Sequence, residues 1–236
     1  MKKIDINCDV GEGVDNEAEL LPNIQSCNIA CGAHAGDEQL MRKIVKLALN
    51  NKVKIGAHPS YPDKENFGRK SIKISSSDLK SSIQKQIQTL NAIINDEGGI
   101  LHHIKPHGAL YNDIAKNEEL SLTFLDAIFS YKNSVKLVIP FNSIIAKNAL
   151  KQEFSVIYEG FTDRNYNDDL SLVSRNEKNA VLTDINEIEN HVKGMLFNEE
   201  VTTVTGKKKR IKADTFCVHS DTENAAEIVK KLAKLF

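Results

Sequence analysis

The chain has 236 residues, of which 41% are hydrophobic and 27% are charged, and its formal net charge is -1. This is the composition of a globular protein, and the near-zero charge argues against nucleic acid or an anionic membrane as the main partner. Asp5, Asn7 and Asp9 interrupt the apolar segment that an export signal needs, and no apolar run approaches the roughly 18 residues that cross a bilayer. We therefore expect a cytoplasmic protein.

Seven short apolar runs predict strands. In chain order they are residues 3–8, 24–29, 53–57, 100–105, 136–140, 156–161 and 215–219. Apolar residues at helical spacing, or segments of helical length, predict helices between them, at residues 37–51, 77–97, 117–131, 143–150, 184–195 and 224–235. Asp37 is the expected N-cap of the first of these helices.

A strand followed by a helix, repeated along one chain, is typical of a parallel sheet covered by helices. The turn after the first strand has Gly11 and Gly13 but lacks the third glycine of a dinucleotide-binding loop. Seven units without that loop favour a closed sheet over an open one. We therefore predict an α/β fold, an irregular (β/α) barrel of about seven parallel strands, with residues 1–236 as a single domain.

Cysteines and basic residues add little to this prediction. The four cysteines have no Cys-x-x-Cys spacing and lie in or beside apolar segments: Cys8, Cys27, Cys31 and Cys217. Without an export signal they are expected to be reduced and buried. The basic run at residues 207–210 follows Gly206 and is interpreted as a solvated hairpin or loop.

Polar side chains gather at the ends of six of the seven predicted strands. In a parallel barrel, catalytic groups lie at the carboxyl ends of the strands and in the loops that follow. Because side chains alternate along a strand, Asn7 and Asp9 share one face of the first strand, and Lys105 and His107 share one face of the fourth. We therefore predict that these groups meet at one mouth of the barrel.

Titratable groups at these strand ends are the candidate catalytic residues: Asp9, His58, Lys105, His107, Glu159 and His219. Polar residues of the same segments are candidate substrate-binding residues: Asn7, Asn28, His34, Arg69, Tyr111, Asp163, Arg164 and Asp221. His191, on a predicted helix, is interpreted as a surface residue. His102 and His103 are interpreted as structural residues, one of them facing the helix layer.

Two common catalytic motifs are absent from the sequence. Residues 206–210 lack the first glycine and the terminal hydroxyl residue of a Gly-x-x-x-x-Gly-Lys-[Ser/Thr] phosphate loop. There is also no Gly-x-Ser-x-Gly nucleophile elbow. Acyl chemistry would therefore use an activated water rather than a serine, and ATP, if it is involved, could be held by a partner.

Six sequence blocks occur in the same order as in a known family: "DINCDVGEG", "SCNIACGAHAGDEQLM", "IGAHPSYPDKENFGRK", "HHIKPHGALYN", "EGFTDRNY" and "FCVHSD". Across nearly the whole chain, the sequence resembles the LamB/YcsF family, the A subunits of the ATP-dependent 5-oxoprolinases. Lys70 stands where that family often has a second arginine, Thr162 where alanine is usual and Ser220 where glycine is usual. Residues 167–179 lack the glycines that are common there.

The resemblance implies a barrel related to the glycoside hydrolase/deacetylase superfamily. It also implies a hydrolase of a cyclic amide, which cleaves 5-oxo-L-proline to L-glutamate and couples this to ATP hydrolysis in a complex with subunits B and C. ATP is then the expected cofactor, and the sequence leaves open whether this chain or its partners hold it. A requirement for a metal stays open as well.

A five-membered lactam is an unactivated amide whose ring readily re-forms. Phosphorylation of its carbonyl oxygen would supply both a driving force and a leaving group. On this hypothesis, Lys105 and Arg164, with Arg69 as an outside candidate, hold the substrate carboxylate and the phosphate.

The proton-transfer roles stay open between several residues. The general base that activates water is one of Asp9, His107 and Glu159. His58 or His219 orients the substrate or transfers a proton. All of these roles require the side chains to meet in one pocket.

Two other functions fit the same residues. A metal-dependent amidase or deacetylase would bind zinc or a similar ion through a carboxylate and imidazoles, drawn from Asp9, His34, His58, His107 and His219. No two of these have the i, i+4 spacing of ligands on one helix, so no metal ligand is assigned. A non-catalytic subunit would only bind 5-oxoproline or hold the other subunits.

Overall fold

The computed structural model describes residues 4–175 and 177–235. This part of the chain forms the strands β1 (Ile6–Val10), β2 (Ser26–Ala30), β3 (Lys54–His58), β4 (Leu101–Ile104), β5 (Lys136–Pro140), β6 (Val156–Phe161), β7 (Glu200–Thr202), β8 (Lys208–Arg210) and β9 (Thr215–Val218). Its helices are α1 (Glu17–Leu20), α2 (Glu38–Asn50), α3 (Ser76–Asp96), α4 (Gly108–Lys116), α5 (Glu118–Ala127), α6 (Ile144–Lys151), α7 (Ile185–Asn198) and α8 (Ala225–Leu235).

Seven parallel strands close into a barrel in the order β1-β2-β3-β4-β5-β6-β9. The barrel closes because β1 pairs with β2 on one side and with β9 on the other, where Ile6 lies opposite Phe216. The predicted fold class and all seven predicted strands are therefore confirmed. Strands β7 and β8 form a separate antiparallel hairpin, which confirms the interpretation of the basic run.

Local sequence explains the limits of the main helices. The side chain of Asp37 accepts a hydrogen bond from Leu40 N at 2.8 Å, so the predicted N-cap of α2 is confirmed. Ser75 caps α3 in the same way, accepting from Asp78 N at 3.1 Å. Helix α4 was not predicted, because its nine residues include a glycine and several weak helix formers directly after the fourth strand.

The apolar core lies between the barrel and the helices. On one side it contains the outward face of β1, represented by Ile6 and Cys8, and on the other the buried side of α3, represented by Ile83 and Leu90. All four cysteines are buried and unpaired, as expected. Among residues 4–175 and 177–235, no helix combines the length and the apolar character needed to cross a membrane.

The inside of the barrel is polar. Side chains of strands that are not neighbours contact each other there: His103 of β4 lies 2.7 Å from Asn28 of β2, and Lys105, just after β4, reaches Asn7 of β1. Contacts between non-neighbouring strands require these side chains to point into the barrel. The outward face of each strand therefore supplies the core, and the inward face supplies the site.

Candidate active site

The ammonium group of Lys105 is the centre of the site. Its Nζ atom lies 2.9 Å from Asp9 Oδ1 and 2.8 Å from Glu159 Oε1, and it donates to Cys217 Sγ at 3.2 Å. Lys105 is only 2% exposed. Burial opposes its charge, but the carboxylates of Asp9 and Glu159 raise the pKa of Lys105 well above its ordinary value. The centre is thus a buried cation between two carboxyl groups.

The Asp9 carboxylate is held on three sides. Besides Lys105, Asn28 Nδ2 donates to its Oδ1 atom at 2.8 Å, and His58 Nε2 lies 3.4 Å from its Oδ2 atom. Burial favours the neutral acid, but His58 and Lys105 outweigh it and lower the pKa of Asp9 well below its ordinary value. Asp9 is therefore an anion and a weak base.

Glu159 differs from Asp9 although it faces the same ammonium group. Its Oε1 atom forms an ion pair with Lys105 at 2.8 Å, but its carboxylate accepts no well-aligned hydrogen bond from a described residue. The buried hydroxyl group of Tyr111, although Glu159 is its neighbour, likewise makes no well-aligned hydrogen bond among these residues. Burial and the neighbouring Glu159 raise the pKa of Tyr111 well above its ordinary value. Unsatisfied buried groups of this kind favour a site that receives a polar ligand.

These two side chains border a cavity of about 110 Å³. Its wall includes the aromatic rings of Phe141, Phe161 and Tyr166. The cavity is small, and its lining combines these rings with polar side chains that include Asp169 and Lys116. Such a lining suits a small ring compound with a few polar atoms.

Three histidines and Glu12 form a second group beside Asp9. Glu12 Oε1 lies 3.1 Å from both His34 Nε2 and His107 Nδ1, and the two imidazole rings stack with centroids 3.7 Å apart. His58 Nε2 lies 3.0 Å from His107 Nδ1. This group, which we call the histidine cluster, consists of Glu12, His34, His58 and His107.

Charge in the histidine cluster is uneven. Burial lowers the pKa of His34 to about 4 and also lowers that of His107. Burial also acts to lower the pKa of His58, but the Asp9 carboxylate outweighs burial and raises that pKa. Burial likewise opposes the charge on Glu12, yet hydrogen bonds from His107 and His34 lower its pKa. The cluster therefore places a neutral His34 imidazole beside the Glu12 carboxylate.

Glu12 was missed in the sequence analysis. The prediction took the titratable groups at the ends of strands, and Glu12 lies one turn further, between Gly11 and Gly13. Gly11 has a φ of +77°, a value that glycine adopts without strain. A tight glycine turn that carries a single carboxylate directly after a barrel strand is the signal that could have found it.

His219 and Asp163 form a pair on the other side of Lys105. His219 Nδ1 donates to Asp163 Oδ1 at 2.9 Å, and the hydroxyl group of Thr222 donates to the same carboxylate. Burial opposes charge on Asp163, but His219 lowers its pKa. Ligand atoms of His219, Asp9 and Cys217 lie within 4.8 Å of one another. The pair can therefore move a proton close to Lys105.

Arg164 does not join this centre through its guanidinium. Its Nε atom donates to Ala180 O at 3.2 Å, and one of its terminal nitrogens donates to Val173 O. Arg164 thus supports the segment after β6, and the geometry gives no support to its predicted role in holding an anion. Asn28 donates to Asp9, and Asn7 accepts from Lys105; their predicted part in binding substrate stays a prediction.

Arg69 and Asp221 form an ion pair at the rim. The shortest contact between them is 2.6 Å, and Arg175 approaches the same carboxylate to 3.0 Å. Arg69 also packs over the ring of Phe67, which contacts His34 edge-on. The rim thus joins the segments after β3, β6 and β9 next to the histidine cluster. Arg175 was not predicted, because it lies far from any strand end in the sequence.

His191, predicted to be a surface residue, is half-buried. Its Nε2 atom lies 3.2 Å from Phe161 O, and its ring stacks against Tyr166 at 5.9 Å. Burial lowers the pKa of His191. A neutral imidazole therefore donates to the end of β6 from α7, which is a structural role.

Part of the histidine cluster brings possible metal ligands together. Ligand atoms of Glu12, His34 and His107 lie within 4.8 Å of one another, and His34 Nε2 and His107 Nδ1 both lie 3.1 Å from Glu12 Oε1. Near Asp9 and Cys217, by contrast, the ammonium group of Lys105 already contacts the atoms that would bind a cation. A requirement for a metal ion stays a prediction.

Comparison with known proteins supplies independent findings. The model of the LamB/YcsF family matches residues 4–236. A relative from Haemophilus influenzae strain PittEE, named as the A subunit of 5-oxoprolinase, is 38% identical over 234 residues, which cover 99% of this chain and 96% of the relative. The crystal structure of the lactam utilization protein from Thermus thermophilus aligns with a TM-score of 0.90 and 30% identity, covering 99% of this chain and 96% of that one.

A more distant likeness concerns the fold alone. A GH18 chitinase from Pseudoalteromonas aurantia aligns with a TM-score of 0.54 at 9% identity, covering 98% of this chain and 100% of that one. The two chains thus share a barrel fold.

Proposed function

The chain belongs to the LamB/YcsF family, and on this premise we propose that it opens the ring of 5-oxo-L-proline to give L-glutamate. In this proposal the reaction is coupled to ATP hydrolysis, and the chain acts in a cytoplasmic complex with subunits B and C. The observation that carries the proposal is the buried ammonium group of Lys105 between Asp9 and Glu159, next to a small cavity with unsatisfied polar groups.

The polar groups of a five-membered lactam match those of the cavity. The ring N–H is a donor, and the Glu159 carboxylate, whose Oε1 atom pairs with Lys105, keeps acceptor capacity for it. The lactam carbonyl is an acceptor, and Lys105 and the Tyr111 hydroxyl group are donors. The ring itself is apolar and suits the aromatic wall. A cyclic amide therefore satisfies the groups that are left unsatisfied in this structure.

Hydrolysis requires water to bond to the carbonyl carbon, the C–N bond to break, and the nitrogen to keep the electron pair and take a proton. We assign the proton transfers to His219, whose Nδ1 atom is fixed by Asp163 at 2.9 Å. Lys105 stabilises the negative charge that develops on the carbonyl oxygen. Asp9 holds Lys105 in place and is too strongly paired to be the base.

ATP would transfer its terminal phosphoryl group to the carbonyl oxygen and leave as ADP. Water would then add to the carbonyl carbon, the C–N bond would break to leave an acyl phosphate, and a second water would release L-glutamate and inorganic phosphate. The cations nearest the rim are Arg69 and Arg175, which meet on Asp221. Such guanidinium groups suit phosphate oxygens. We propose that they guide phosphate at the boundary with the partner subunits.

The test is glutamate formation from 5-oxo-L-proline and ATP by the three purified subunits, compared with any two of them. We expect Lys105→Met and His219→Gln to lower the rate by at least about a hundredfold, while gel filtration shows that the complex still assembles. Lys207→Ala, on the exposed hairpin, is the matched control and keeps the full rate. Full activity of the two partner subunits without this chain would instead favour a non-catalytic binding subunit.

A further inference from the structure

A chain of hydrogen bonds crosses the inside of the barrel and ends on Asp9. His102 Nδ1 lies 3.0 Å from His103 Nδ1, and His103 Nε2 lies 2.7 Å from Asn28 Oδ1. Asn28 Nδ2 then donates to Asp9 Oδ1 at 2.8 Å. His102 and His103 line a pocket of about 200 Å³ together with Asp5, near the amino ends of the strands. The chain therefore joins the two ends of the barrel.

The direction of the donors follows from Asp9. An ionised carboxylate only accepts, so the Asn28 atom beside it must be the NH₂ group. The amide oxygen of Asn28 then faces His103, whose Nε2 atom must carry the proton. In a neutral imidazole the other nitrogen accepts, so His102 Nδ1 donates to His103 Nδ1. Each donor thus points towards Asp9.

Burial keeps His103 in the neutral form that this order requires. His103 is 2% exposed, and burial, assisted by the nearby His102, lowers its pKa well below the ordinary value. A neutral imidazole has one donor and one acceptor, and both are used here. The ring is therefore fixed by hydrogen bonds at both of its nitrogens.

The backbone of β3 makes room for this ring. A Cβ atom placed on Gly56 would lie 2.1 Å from His103 Nε2, a distance that no side chain tolerates. The pairing of β3 with β4 shifts between Ile55 and Gly56, which places His103 opposite Gly56. A register shift and a glycine together admit one imidazole to the barrel interior.

We propose that His103 is a positioning residue that holds Asp9 through Asn28, so that the Asp9 carboxylate stays aimed at Lys105 and His58. The part of this inference that concerns the reaction rests on the proposed function, and the part that concerns the geometry of Asp9 does not. His103 touches neither the cavity nor the proposed proton-transfer pair. It acts from the opposite end of the barrel.

Several charged or titratable groups surround Asp9, and the test must account for them. These groups lie on five strands of the barrel or in the segments directly after them: Cys8 and Glu12 (β1 and its turn), Cys27 (β2), His58 (β3), Lys105 (after β4), Cys217 (β9) and His219 (after β9). Of these, His58 contacts Asp9 directly and reports on its position, because the Asp9 carboxylate raises the pKa of His58. The ring signals of His58 are therefore a readout that does not require catalysis.

The experiment compares His103→Phe, which fills the space without a donor, with His103→Gln, whose amide group can donate to Asn28. Nuclear magnetic resonance of the histidine rings measures the titration midpoint of His58, and the three-subunit assay measures kcat and KM. We expect His103→Phe to lower the His58 midpoint by about half a pH unit or more and to lower kcat about tenfold with little change in KM. His103→Gln restores both values to near those of the wild type.

Gly56→Ala is a second, independent variant, because it displaces His103 without changing any member of the chain. It should reproduce the His58 shift of His103→Phe. An unchanged His58 midpoint in His103→Phe overturns the inference, as does a shift that His103→Gln fails to reverse. If His103→Phe shifts the His58 midpoint and His103→Gln reverses that shift, but kcat stays the same in both variants, then His103 positions Asp9 and the part of the inference that concerns the proposed reaction is wrong.

Discussion

The inside of the barrel and the layer around it follow opposite chemical rules. Between the strands and the helices the side chains are apolar, and residues such as Ile6, Ile83 and Leu90 are fully buried. Inside the barrel, asparagine, histidine, lysine and carboxylate side chains are equally buried but bind each other. Stability from apolar burial therefore comes mainly from the outer layer, whereas the inner network fixes the geometry of the site.

This division means that substitutions in the outer layer should lower stability without lowering activity, whereas breaking the inner network should lower both. Barrels filled by aliphatic layers use the interior for packing, but this barrel uses it for ion pairs and hydrogen bonds. Buried ion pairs add little net stability, and breaking one is costly because a charge is left unpaired. Four predictions test the division, from the largest expected effect to the smallest.

The largest effect is expected at Lys105. Lys105→Met leaves Asp9 and Glu159 buried beside each other without a cation, which should lower the free energy of unfolding by about 4 kcal/mol as well as abolish activity. Urea denaturation followed by circular dichroism measures the first effect and the three-subunit assay the second. An unchanged free energy of unfolding would show that Asp9 and Glu159 can lose the Lys105 cation without leaving a costly unpaired charge.

Phe124 tests the outer layer. It is fully buried in α5, and Phe124→Ala should lower the free energy of unfolding by about 3 kcal/mol or more, because it removes apolar contacts and leaves a cavity. Activity per folded molecule should stay within about twofold of the wild type, since no member of the site is touched. A large loss of kcat in a folded variant would contradict the division between the two regions.

The pH dependence of stability tests the histidine cluster. The pKa of His34 is about 4 in the folded protein, against about 6.5 in an unfolded chain. Between these values the unfolded chain binds a proton that the folded protein does not, so stability falls as the pH falls from about 6.5 to 4.

His34→Gln, which keeps a donor for Glu12 but cannot titrate, should reduce this dependence by about one proton. Urea denaturation at a series of pH values measures the slope. Lys207→Ala is again the control, because its exposed ion pair lies on the hairpin. If the free energy of unfolding depends on pH with the same slope in the wild type and in His34→Gln, then His34 binds its proton equally well in the folded and the unfolded chain.

The smallest effect is expected at the rim. Asp221→Asn weakens the ion pairs with Arg69 and Arg175, whose side chains are partly exposed, so the free energy of unfolding should change by less than about 1 kcal/mol. If the two arginines guide phosphate, the KM for ATP changes while stability does not. If the KM for ATP is the same in Asp221→Asn and in the wild type, then Arg69 and Arg175 do not guide phosphate and the rim has only a structural role.

The strands and the general position of the site could be predicted from the sequence, because both follow from alternation and from the rule that parallel strands end together. These two rules were sufficient to predict that Asp9, Lys105 and Glu159 meet at one mouth of the barrel. They were not sufficient for Glu12, which lies in a turn, or for Arg175, which lies in a long segment without periodicity. Such residues reach the site only through the tertiary course of their loops.

The register between strands could not be predicted. Alternation places His103 on the strand face of Lys105, but the shift in pairing that puts His103 opposite Gly56 arises between two strands rather than within one. Arg164 shows the same limit, since its partners are the backbone carbonyls of Val173 and Ala180, which lie 9 and 16 residues away.

The pairing of β1 with β9 has a consequence for how the protein is made. Asn7 of the first strand bonds to Thr215 of the last at 3.0 Å, across 208 positions of sequence. During synthesis on the ribosome, the edges of β1 and β6 therefore stay unpaired until β9 has been translated. For that period two open strand edges are available for wrong pairing.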